Sequence, residues 1–297
     1  MKFNKLFTLA LSLFVATGAI AGGADKSAPT QGDMSVAFSL DPLATFAGNL
    51  LNGTMDNALE DLAGEPLLLQ QLPNSVVSIM GNYMLTDNLA ARVNIGFGYS
   101  YLQKNHYVID DAALALDDLS NAKVIDQYTS KALSGSFALG VEYRLGERSV
   151  QGVFGGGLSY ACGTASNAYA YGNAISQLNQ NPSQSVEMPA PEQVTGYLPN
   201  ARILSTNATD LIHMVGVYGS VGVEWFVAPA IALGANVNLG IYYEINPMQA
   251  SVYEGWNTIT EKVDTHTELI APASHGFHFG TDNIGANLYI AFYFGTN

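Results

Sequence analysis

The sequence predicts an all-β chain folded as an eight-stranded antiparallel up-and-down barrel. Three observations predict it: apolar side chains alternate with small or polar ones along eight segments, the connections between them alternate long and short, and the parity that is not apolar carries Gly, Ala, Ser, Asn and Tyr in place of charge. In the clearest segment Leu89, Ala91, Val93, Ile95, Phe97, Tyr99 and Tyr101 alternate with Ala90, Arg92, Asn94, Gly96, Gly98 and Ser100. A period of two puts the first set on one face, where a helix would scatter it around its axis.

The chain opens with a basic segment holding Lys2 and Lys5, an apolar run from Leu6 to Val15, and Ala19-Ile20-Ala21 before Gly22. That order is a secretory signal peptide over residues 1–21, and no cysteine follows it to anchor a lipid. Its removal takes two lysines and no acid, so the formal charge moves from −14 to −16. Such a balance excludes nucleic acid as a partner, since that needs a basic footprint. With 48% hydrophobic and only 12% charged residues, the chain is too apolar for disorder and poor in charge for a soluble domain. No apolar run is long enough for a transmembrane helix. The lone Cys162 reads as a small apolar side chain at a strand end.

After a short leader, residues 22–32, the barrel region runs from 33 to 297. Strand one is Asp33–Asp41, with Met34, Val36, Phe38 and Leu40 on one face, and Pro42 ends it. Strand two, Ser75–Leu85, turns at Thr86-Asp87-Asn88 into the Leu89–Tyr101 strand. Strand four, Lys131–Leu145, turns at Gly146-Glu147-Arg148 into strand five, Val150–Ala161. Strand six, Leu211–Phe226, turns at Val227-Ala228-Pro229 into strand seven, Ile231–Glu244. Strand eight, Asn283–Phe294, closes the chain. The long connections are 42–73, 102–129 with a short acidic helix in Asp110–Leu119, the Pro- and Asn-rich 162–210, and 245–282.

Alternation alone also fits a secreted sandwich, whose second parity would be a wet, charged surface. Here that parity holds Gly96, Gly98, Gly140, Gly216, Gly222, Gly234, Gly240 and Gly285, small residues that suit the crowded interior of a narrow barrel. Aromatics on the apolar parity gather near strand ends: Tyr83, Tyr143, Trp225 and Phe294 toward the short turns, and Tyr99, Tyr101, Tyr160 and Tyr243 toward the long loops. These read as two membrane girdles around a transmembrane barrel, with four long extracellular loops and three short periplasmic turns.

The last strand, Ile284, Leu288, Ile290, Phe292 and Phe294 on one parity, resembles the closing strand of the small eight-stranded outer-membrane β-barrels of Gram-negative bacteria, the group of the OmpA transmembrane domain, OmpX and OmpW. The resemblance is one of pattern. It implies an outer-membrane protein in contact with outer-membrane lipid and, during biogenesis, with the barrel-assembly machinery.

Four charges share the inward parity near the short turns: Arg92, Glu142, Arg144 and Glu224. In a narrow lumen they must pair, as a salt-bridged plug or as a switchable gate like the one proposed for the OmpA transmembrane domain. In the first long connection Leu43, Phe46, Leu50, Leu51, Leu59 and Leu62 are too apolar for a freely solvated loop. They either fold over the barrel mouth or form an apolar pocket for a small hydrophobic ligand, which resembles the OmpW group. His213, His266, His275 and His278 fall at the loop-side mouth, but without a helix or cysteine to fix their spacing we assign no metal and no cofactor. No Gly-x-Ser-x-Gly or His-Glu-x-x-His motif occurs, so no catalytic residue is assigned. The expected function is that of a non-enzymatic surface barrel, structural or binding an extracellular ligand through acidic loops. A narrow pore or hydrophobic-ligand carrier, and a lipid-modifying enzyme, are the alternatives.

Overall fold

A computed structural model describes residues 28–39, 77–146, 149–280 and 287–295. The described residues form twelve strands and one short helix: β1 (Met34–Ser39), β2 (Val77–Met84), β3 (Leu89–Ile109), α1 (Asp111–Leu116), β4 (Lys123–Leu145), β5 (Val150–Ala170), β6 (Arg202–Ala208), β7 (Ile212–Ala228), β8 (Ile231–Asn246), β9 (Gln249–Asn257), β10 (Lys262–Ala271), β11 (Ser274–Gly280) and β12 (Asn287–Phe294). Eight of these close a ring of antiparallel ladders in the order β1, β2, β3, β4, β5, β7, β8, β12 and back to β1. The signal segment, the first long connection with its six apolar candidates, and Gly285 lie outside the described residues.

The ladders fix the tilt. Crossing from Phe38 through Ile79, Ile95, Phe137, Tyr160 and Val215 reaches Tyr243 of β8, whereas crossing the other way through Ile290 reaches Leu233, ten residues along the same strand. Ten residues at about 3.3 Å, set against eight strand spacings of about 4.8 Å, incline the strands by roughly 40° to the barrel axis. Every side chain on that path is apolar or aromatic and faces outward. At this tilt the outward stretch from Leu89 to Tyr101 is about 30 Å tall, enough for an apolar band with its two girdles. The eight aromatics expected to form girdles are all exposed on this outer surface.

Beyond the band the strands run on. We expected loops at 102–129, 162–210 and 245–282; instead β3 extends to Ile109 and β4 begins at Lys123, paired in unbroken register. β5 continues to Ala170, β6 pairs with it at Ser166–Ala168, and the β9–β10 hairpin extends the sheet from β6. Alternation fades in this region because no lipid faces the outer side there and nothing selects an apolar parity. The expected helix shortens to α1, capped by the Asp110 side chain, which accepts from the Ala112 and Ala113 amides. The closing strand also differs: β11 and β12 both pair with β8, Gly280 opposite Gly240 and Asn287 opposite Asn236, so the last wall starts at Ser274.

Candidate functional site

The even positions of β4 point into the barrel and carry Glu142 and Arg144, while the same alternation turns Arg92 inward from β3 and Glu224 inward from β7. The four join in one chain across the lumen. Arg92 Nη1 lies 3.1 Å from Glu142 Oε2, Arg144 Nη2 lies 2.6 Å from Glu142 Oε1, and Arg144 Nη1 lies 2.8 Å from Glu224 Oε2. Tyr293 of β12 ends the chain by donating its hydroxyl to Glu224 Oε1 at 2.7 Å, and its ring lies 5.5 Å from the Arg144 guanidinium carbon. Arg144, Glu142 and Glu224 each expose about 1% of their side chains, so the pairs are removed from bulk water. Buried charges of this kind persist when each finds both an opposite charge and further hydrogen bonds.

Around the chain the lumen is filled by apolar and aromatic packing. Met80, Phe226, Tyr289 and Tyr293 cluster with Ala37, Ala232 and Ala291. The strand walls approach closely at glycine. A Cβ on Gly157 would collide with the Leu139 carbonyl and the Gly140 backbone, and one on Gly234 would meet the Tyr289 ring. Above the chain a cavity of about 310 Å³ opens, floored by Arg92 and lined by Asn94, Ser136, Ser159, Tyr218, Asn238 and Tyr242. Charge and aromatic packing thus close the turn side, while polar space remains on the loop side.

The structure also shows a second network, above the barrel. Asp126, inward on β4 and fully buried, accepts from the Gly172 and Ser185 amides at 2.8 Å each. Arg202 on β6 donates through Nε to Glu254 Oε1 and through Nη1 to the Asn173 carbonyl, both at 2.8 Å, and stacks 4.3 Å from the Tyr171 ring centre. Asn173 donates to the Ile109 and Ser183 carbonyls. Leu198, Ala201 and Tyr253 form a small core beneath. Burial and the Glu192 carboxylate push the Tyr253 hydroxyl up to about 12. Sequence reasoning missed this network because it treated 102–129 and 162–210 as loops. The available signal was that Asp126 shares the even parity of Glu142 and Arg144.

The histidines do not converge among the described residues, which hold no group of three or more His, Cys, Asp or Glu placed to bind a metal. His213 and His275 both face outward opposite Ile245, and His266 sits on β10. Tyr160 Oη and His213 Nδ1 are 2.8 Å apart. Cys162 is also placed differently from expectation: it lies within β5, opposite His213, because β5 runs on to Ala170.

No protein-family model matches the chain, and no curated protein sequence does. Solved structures do show a distant similarity. OprG from Pseudomonas aeruginosa has 10% sequence identity and a TM-score of 0.30, over 92% of this chain and 100% of that one. A major outer membrane protein from Thermus thermophilus has 10% identity and a TM-score of 0.35, over 89% and 98%. Both neighbours are outer-membrane proteins by name.

Proposed function

We propose that this protein is a non-enzymatic outer-membrane barrel, exported by a cleaved signal peptide over residues 1–21, and that it works through the folded platform its long connections build on the outside. The observation that carries this reading is the contrast between the barrel's two ends. The turn side is closed by a buried ion-pair chain and an apolar cluster, while the loop side continues its strands into a sheet with its own core and buried polar anchors. Loops that served only as connections would not bury Asp126 and Arg202 against several partners each. A surface built to hold its shape suits binding of an extracellular ligand.

Planar-bilayer recording of the refolded mature chain tests this. The expected result is electrical silence, and a steady ohmic current overturns the closed-barrel reading. A second reading, a narrow gated pore, draws support from the cavity that ends on Arg92. In that case wild type would be silent or flicker, and Arg144→Ala would conduct.

A further inference from the structure

We propose that the outer face of the β3–β4 hairpin, at and just beyond the loop-side edge of the apolar band, binds the phosphorylated headgroup of an outer-leaflet glycolipid. The chain carries 25 acidic residues against 11 Lys and Arg. Of the cations, Arg92, Arg144 and Arg202 are committed to Glu142, Glu224 and Glu254. Lys131 and Lys123 differ: both are exposed, and among the described residues neither has an acidic partner. Each lies over a tyrosine, Lys131 at 6.0 Å from the Tyr101 ring centre and Lys123 at 5.8 Å from that of Tyr107.

Position makes the pair informative. Tyr101 and Lys131 are opposite each other in register at the top of the apolar band. Lys123 stands eight residues farther out, about 20 Å higher at the barrel's tilt. Outward positions from Tyr99 to Ile109 and from Lys123 to Leu133 hold no acid, and the four aspartates of this hairpin's tip lie beyond them. The acid of the hairpin's body, Asp126, is on the opposite face, buried under the loop-side network. Between the lysines runs a ladder of polar donors and acceptors: Tyr101 donates to Gln103 at 2.6 Å, Gln103 donates to Asn105 at 3.3 Å, and Gln127 donates to Asn105 at 3.2 Å.

A cation at the lipid edge, a second one farther out, and sugar-competent amides between them fit an anionic saccharide on a lipid anchor. A phospholipid phosphate would reach only Lys131. In a protein this acidic, the face also gives an anionic leaflet a patch that attracts it, Lys131 at the lipid edge contributing about fivefold in binding.

The inference rests on the membrane reading above. The refolded mature chain is first checked for heat-modifiable mobility and insertion into phosphatidylcholine vesicles, and failure there indicts the barrel in lipid rather than this site. Detergent-solubilised folded protein is then titrated with a lipopolysaccharide that carries a phosphorylated core saccharide, with the same glycolipid after phosphatase treatment, and with phosphatidylglycerol, and adducts are counted by native mass spectrometry. Preferential retention of the phosphorylated glycolipid is expected, reduced about fivefold by Lys131→Gln and further by adding Lys123→Gln. Lys104→Gln, on the same hairpin but the opposite parity, should leave retention unchanged. Equal retention of the dephosphorylated glycolipid, retention of phosphatidylglycerol as strong as that of the phosphorylated glycolipid, or indifference to the double substitution would each overturn the proposal.

Discussion

Arg144 holds the lumen together because it bridges two carboxylates and lies against the Tyr293 ring. Removing one member of a buried pair leaves its partner's charge unmatched, a loss of about 3–5 kcal/mol. Arg144→Ala and Glu224→Ala should therefore each lower the urea midpoint of the folded barrel, and the double substitution should cost less than the sum of the two. Strict additivity would mean that the two side chains do not interact. The lumen glycines allow a second comparison. A methyl at Gly157 meets the backbone of β4, which cannot move alone, whereas one at Gly240 meets the tip of the Tyr242 ring, which can swing toward the cavity. Gly157→Ala should cost about 1–3 kcal/mol and Gly240→Ala less, as read from the same unfolding curves.

At the level of elements, the β3–β4 extension and the segments packed on it set where the protein opens. An external protease on intact cells should spare 102–109 and 123–129, which are paired strand, and should cut first in exposed stretches such as 177–181 and 258–262. The turn at 86–88 should be protected by the membrane, and cleavage confined to it would reverse the orientation. Asp111 makes part of this platform pH-sensitive. Partial burial works to raise its carboxyl, but donors from Ser183 and Asn179 outweigh that and hold it below the ordinary value of 3.8. A depressed folded-state value stabilises above the unfolded value and is lost as pH falls through the folded one. Limited proteolysis of 174–190 should therefore accelerate only in strongly acidic buffer, below about pH 4, and Asp111→Asn should remove that dependence.

For the molecule as a whole, the two tryptophans report on either side of the membrane boundary. Trp225 faces outward on β7 near the short turns, while Trp256 lies on β9 of the platform. In single-tryptophan variants, Trp256→Phe and Trp225→Phe, brominated acyl chains should quench Trp225 strongly and Trp256 weakly. Equal quenching would place the platform in lipid and remove the distinction between barrel and platform. Among the described residues the same arrangement sorts the charge: acids gather on the water-facing platform, and the outward positions of the band hold none.

What the sequence by itself determined is the part of the chain in contact with the apolar band. There, two different media on the two faces of each strand write an alternating code, and from it the number of ring strands, the short turns, the outward parity of the aromatics and the inward parity of Arg92, Glu142, Arg144 and Glu224 could all be read. That these four make one chain ending on Tyr293 was decided only by the tertiary structure, because pairing across a barrel depends on tilt and register between strands far apart in sequence. The platform was decided there as well. Outside the lipid no medium selects one face, so strands such as the outer half of β3 carry polar residues on both parities, and only their partners in space show that they are strands.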